Sequence, residues 1–429
     1  MRFRALLLLL SALAFAPAPA LAWSNHGLLT YWAFKDTPEV GQAPDVVVEP
    51  LDAFLRDQEQ AVADLLAAQE SWARANVPTY PPRPDELAFK ADPSRDAAAR
   101  QKAFSEALRI AANTRFSLFR QNLPGFAQEG ARPMPFAEVS TLREPAFSMM
   151  RFFRIEPGEK IPALLVMASS ADEPDFGVDI NCWDDSPSEW GKKYKFGKLP
   201  FGNPALDFST QAPFHMGFYH QSSLIYKAAP FVARTYPTLR VHQFMGLSRL
   251  AFRTGHAYWG WRFAGLAMHY VQDLTQPYHA SILPSVSTLR MIAVNTAAMA
   301  GWTGPKDSMV VLASNRHLAF ERYEALLIYR DTAAGGKSPL IDALQGLPPQ
   351  GEPPLAELEV AMPGNDERQD YVRAIMTVAR DGRRTVKPFE VQDSSMQRTL
   401  QLANCLIIRT PGAPVAPVGT PVPVLMLDF

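Results

Sequence analysis

His269-Tyr270-Val271-Gln272-Asp273-Leu274-Thr275-Gln276-Pro277-Tyr278-His279 is the most informative stretch of this chain. It closes a helical pattern over 258–274. His269 and Asp273 are four residues apart, so one helix face carries both an imidazole and a carboxylate. Pro277 ends the helix, and His279 follows on the turn, where it can face the same cavity from the side. Nitrogen and oxygen donors of this kind suit zinc. Alone, the same residues read equally well as a surface His–Asp pair beside an incidental histidine.

Two further features bear on that choice. His317 and Glu321 repeat the four-residue spacing inside a helical window, 310–329. The chain also starts like a secretory leader: Arg2 and Arg4, an apolar run from Ala5 to Phe15, then Ala20 and Ala22 as small residues for a signal peptidase. The run is too short to span a bilayer. A cut between Ala22 and Trp23 is expected, giving a secreted or periplasmic protein. It would free the α-amine of Trp23, which with its own carbonyl forms a chelate for a metal, and His26 lies three residues on.

The 429 residues carry 42 Lys plus Arg against 43 Asp plus Glu, a net charge of −1, which gives no reason to expect a nucleic-acid-coating surface. With 47% hydrophobic residues the chain is not a disordered one. Cys182 and Cys405 are too few for a disulfide framework or a thiolate zinc site, and sequence leaves open whether they pair.

Helical patterns are expected over 50–77, 96–121, 240–253, 258–274, 285–300, 308–330, 366–381 and 394–407. Residues 172–215 read as a long ordered loop region and 331–365 as irregular. The Pro/Val-rich tail reads as extended or disordered. The expected fold class is all-α, with a leader over 1–22, one helical domain over 23–408 and the tail over 409–429.

Taken together, a Trp at the expected mature N-terminus, an early His, the His-x3-Asp-x5-His helix and the later His-x3-Glu resemble the zinc-dependent phospholipase C family, relatives of the S1/P1-type single-strand nucleases. The likeness is strongest over about 250–282 and covers under a third of the chain by motif. It implies an all-helical phospholipase C/P1 nuclease-like domain with long loop insertions, holding three zinc ions. Trp23, His26 and Asp273 would hold one, His269 and the bridging Asp273 a second, and His279, His317 and Glu321 the third. The family also needs a mid-chain Asp and His. Asp175 or Asp172 matches the first, and His215 or His220 the second. Asp175 (alternatively Asp172) would also act as the catalytic base.

The activity so implied is hydrolysis of phospholipids to diacylglycerol and a phosphorylated headgroup, with a single-strand nuclease or a non-catalytic zinc-binding protein as alternatives. Phospholipid would be the partner, with no stable nucleic-acid partner. Trp183, Trp190, Tyr194 and Phe196 read either as core or as a headgroup box, and Lys192, Lys193, Lys195 and Lys198 as a solvated loop or an anion-facing patch. The apolar insertion 282–310 reads as a core helix or as a flap that touches a membrane surface.

Overall fold

Buried residues recur at Trp259, Arg262, Phe263, Leu266, His269, Tyr270 and Asp273 along one helix. That three-to-four spacing makes a single inward face that ends on the quoted His–Asp pair. The chain is seen here as a computed structural model that describes residues 25–143, 145, 149–284, 286–346, 353–366, 369–379, 381–390, 392 and 402–427. The leader and Trp23 lie outside the described residues.

The helices that build the site are α1 (His26–Phe34), α2 (Leu51–Asp57), α3 (Glu59–Asn76), α4 (Ala97–Leu108), α5 (Ala163–Ser170), α6 (Ala212–His215), α7 (Pro237–Arg253), α8 (Ala257–Asp273), α9 (Pro277–Ala280), α10 (Thr288–Met299) and α11 (Gly304–Ala333). A small antiparallel sheet of β1 (Phe119–Gln121), β2 (Arg132–Met134) and β3 (Phe152–Arg154) has β3 in its middle.

Every residue of α5 is buried: Ala163 to Ala168 are apolar all round, and the Ser169 and Ser170 hydroxyls bond the Gln121 amide and the Val166 carbonyl. It packs against α1 and α8, and α8 runs back along α7 after a turn in which Gly255 has φ +85°. Close approach of α5 and α8 depends on Gly265: a Cβ there would lie 2.2 Å from the Met167 carbonyl and 2.1 Å from Ser170 Oγ. Phe54, Phe104, Phe244, Trp259 and Phe263 fill the core between α2, α3, α4, α7 and α8. Each such side chain stabilises the fold by roughly 1.5–3 kcal/mol through burial alone.

The expected all-α class is corrected by the C-terminal part. The strands β4 (Leu355–Leu358), β5 (Asp370–Val378), β6 (Arg384–Pro388), β7 (Cys405–Arg409) and β8 (Pro421–Met426) close into a barrel in the order β8-β4-β6-β5-β7. The β4–β6 pair is parallel and the others antiparallel. Helix was expected over 366–381 because Arg373, Ala374 and Met376 are good helix formers. The period there is two instead: Ala374 and Met376 point inward while Ile375 is exposed. Likewise Val422 and Val424 turn into the barrel core between prolines. The other late helical window, 394–407, lies outside the described residues up to 401 and ends in β7.

Cys405 belongs to this barrel core and Cys182 to the cluster around Trp183, so both are buried and unpaired.

Candidate metal centre

After α5 the chain enters an acidic turn that carries Asp172, Glu173, Asp175 and Asp179, all buried. Three of these four are tied down. Asp172 Oδ2 accepts from Gln121 Nε2 at 2.7 Å and from the Gly27 amide at 3.1 Å. The two Glu173 oxygens accept from Arg262 Nε and Nη2 at 2.7 and 2.9 Å. Asp179 accepts from Arg240 Nε at 2.9 Å and the Tyr270 hydroxyl at 2.6 Å. Asp175 is left to face histidines: its oxygens lie 3.9 Å from His26 Nε2, 3.7 Å from His215 Nδ1 and 3.8 Å from His269 Nε2.

Asp273 sits at the centre. Its two oxygens face His215 Nδ1 at 3.0 Å, His269 Nε2 at 3.2 Å, His279 Nδ1 at 3.0 Å and His26 Nε2 at 3.9 Å. Beyond His279, the His279 and His317 Nε2 atoms are 3.0 Å apart, and the Glu321 carboxylate contacts both rings. Three groups therefore have ligand atoms close enough to share an ion: His26, Asp175 and His269; His215, His269 and Asp273; His279, His317 and Glu321. His220, the other mid-chain histidine, is exposed.

The bonding fits a cation. His26 Nε2, His215 Nε2, His279 Nδ1, both Asp273 oxygens and Glu321 Oε2 are buried without a hydrogen-bond partner. Unsatisfied buried polar atoms are costly, and two of the orphaned ring nitrogens, His26 Nε2 and His279 Nδ1, face the same orphaned oxygen, Asp273 Oδ1, at 3.9 and 3.0 Å. The outward-facing ring atoms are satisfied: His269 Nδ1 bonds the Ala171 carbonyl at 2.8 Å and His26 Nδ1 bonds Gln272 Oε1 at 2.8 Å. Metal-ligating histidines are oriented by outer bonds of this kind. Gln276 ties two elements together. Its Oε1 caps α9 by accepting from the Tyr278 and His279 amides, and its Nε2 donates to Glu321 Oε1 at 2.9 Å.

The electrostatics agree. Burial alone would raise Asp273, but His269, His279 and His215 hold it well below the carboxylate range. Burial alone would lower His215, but Asp273 and Asp179 raise it to about 10. Burial, with neighbouring His269, pushes His26 well below its usual value. Burial lifts Glu321 to about 8. These opposed shifts follow from basic and acidic groups packed together in a buried space.

Gln272, Gln276 and Asp179 were not picked out in the sequence. The glutamines lie within the quoted stretch, but their partners come from distant segments, so no spacing reveals them. Trp183, Tyr194 and Phe196 are core, with Trp183 Nε1 donating to the Thr210 carbonyl at 2.7 Å. Lys192 and Lys193 are exposed and pair with Glu189 and Glu106, so they make no free basic patch. A cavity of about 650 Å³ opens beside the centre, with His215, His279 and His317 on its wall and Phe218, Val232 and Met291 among its apolar lining.

Residues 356–427 match the family model of the MoeA C-terminal region (domain IV). The matched residues coincide with the barrel. No curated protein matches the chain. This match corrects the expected membership of the zinc-dependent phospholipase C family. A chain that carries a closed barrel similar to a domain of a molybdenum-cofactor biosynthesis protein is not the all-helical enzyme that the motifs implied. The phospholipase and lipid-degradation expectations, and the nuclease and non-catalytic alternatives, fall with it.

Proposed function

We propose that the helical part of the chain is a metal-dependent hydrolase acting on an ester bond in a substrate with an apolar body. The observation that supports this reading is a cluster of buried imidazoles and carboxylates, several of their atoms without a hydrogen-bond partner, beside an apolar cavity that His215, His279 and His317 line. Zinc is the ion that an all-nitrogen-and-oxygen donor set of this composition suits best. His26, Asp175, His215, His269, Asp273, His279, His317 and Glu321 are the proposed ligands, and bound ions would acidify a water and polarise the scissile group. The protein residues have separate tasks. Gln272, Gln276 and the Ala171 carbonyl orient the ligands. Asp175, less tied than its neighbours, is placed to accept a proton beside the centre. The cavity wall excludes water and holds the apolar part of the substrate.

The test is turnover of chromogenic esters of a long-chain alcohol, with carboxylic and sulfuric acids compared, before and after chelation and with zinc restored. Zinc-restored turnover of one of them supports the reading. Absence of turnover on both by zinc-loaded protein refutes it.

The barrel favours a second reading. MoeA proteins are enzymes of molybdenum-cofactor biosynthesis. The match over 356–427 supports a role for this chain in that process. Loss of molybdoenzyme activity in cells lacking the chain, restored by its return, would favour it over the hydrolase.

A further inference from the structure

Between α9 and the ligand His317, α10 and the first turns of α11 form a two-helix finger. No residue of α10 is buried, although its sequence, Thr288-Leu-Arg-Met-Ile-Ala-Val-Asn-Thr-Ala-Ala-Met299, is largely apolar. Leu289, Met299 and Trp302 are 76%, 81% and 69% exposed, and Val311 and Leu312 at the start of α11 are exposed as well. Large apolar side chains gathered at the surface of one finger mark an interaction site.

We infer that the finger docks on the surface of a lipid bilayer and opens the cavity toward it. Two observations select this occupant. First, the inner side of the finger is the cavity wall: Met291, Ile292, Val294 and Val310 line the same space as His215 and His317. An apolar chain leaving a bilayer at the finger would therefore enter a mostly apolar cavity that runs to His215 and His317, whereas a second protein copy seated there would cover it. Second, the charges on the finger are Arg290, Lys306 and Arg316 against Asp307 alone, all exposed. A tryptophan and aliphatic side chains bordered by basic residues suit an interface with anionic headgroups. The route by which substrate reaches the centre rests on the hydrolase reading. The docking itself does not.

The experiment is co-sedimentation of the full chain with vesicles of phosphatidylcholine, with and without phosphatidylglycerol, beside the triple variant Leu289→Ser, Met299→Ser, Trp302→Ser. These residues are exposed, so the variant is expected to keep its fold, its metal and its turnover of a soluble ester. The wild-type chain is expected to bind vesicles, more tightly when phosphatidylglycerol is present, and the variant at least about tenfold more weakly. Failure of the wild-type chain to sediment with either vesicle, or equal binding by the variant, overturns the inference. So does a wild-type dimer that the variant abolishes without any vesicle binding, which would make the face a contact between copies. Vesicle binding without hydrolysis of any ester supports the docking and refutes the hydrolase.

Discussion

Asp273 has four imidazoles around one carboxylate, and none of them gives it a hydrogen bond. Asp273→Asn keeps the shape and removes the charge. It is expected to lose more metal affinity than the roughly 10–100-fold typical of an outer partner, while Gln276→Ala is expected to fall within that range. Metal titration of each variant measures this, and wild-type affinity in Asp273→Asn would remove the residue from the centre. Asp172→Asn is the contrast. Its carboxyl is pushed to about 7 by burial and points to Gln121 and Gly27, so metal content is expected to hold. Glu324 is buried with both oxygens unpartnered, and burial, with Glu321 and Asp172 nearby, lifts it to about 8. Between its ordinary 4.5 and about 8 the folded state keeps a proton that the unfolded state has released. Stability of the metal-free protein therefore falls as pH rises through that window and levels off above it. Glu324→Gln is expected to remove at least about 1 kcal/mol of this dependence, read from denaturant unfolding at pH 5 and pH 9. An unchanged pH slope would show that Glu324 is not its source. At this scale much of the centre was legible, because His269–Asp273 and His317–Glu321 are helix neighbours in sequence. The acidic turn was less so: only folding shows that Gln121, Arg262 and Arg240 occupy three of its carboxylates and leave Asp175 with only a long bond from Gln211 Nε2, at 3.3 Å, and a ring of histidines.

At the scale of elements, the centre depends on how closely α5 approaches α8. Gly265→Ala places a methyl against the Met167 carbonyl and Ser170, and is expected to cost about 1–3 kcal/mol. A drop in the thermal midpoint together with weakened metal binding is the expected result, since α5 leads into the acidic turn and α8 carries His269 and Asp273. A midpoint equal to wild type would mean that the helices can separate freely. The long helices α7 and α8 were readable because they keep a three-to-four apolar spacing over many residues, whereas the buried face of α11 is largely His317, Glu321, Glu324 and Asp331. The strands were not. Cys405–Arg409 and Pro421–Met426 are only 5 and 6 residues long, and β5 is built partly from helix formers. Their inward faces exist only when all five strands close.

At the scale of the molecule, the barrel has a core of its own. Ala356, Leu358, Ala374, Val386, Cys405, Ile407, Val422 and Val424 belong to it, and no proposed ligand lies among them. Ile407→Ala is expected to destabilise the barrel by about 2–5 kcal/mol without changing metal content, as calorimetry and metal analysis would show. Loss of metal in that variant would mean that the barrel supports the centre. The most direct test of the metal-centre account is the metal content of the full chain purified without chelator. Zinc or a similar divalent ion is expected in the His279–His317–Glu321 group and at least one more in the groups sharing His269, all lost on Asp273→Asn or reduced to the former group. A chain that binds no divalent ion stoichiometrically, or that takes up molybdenum in its place, would contradict it.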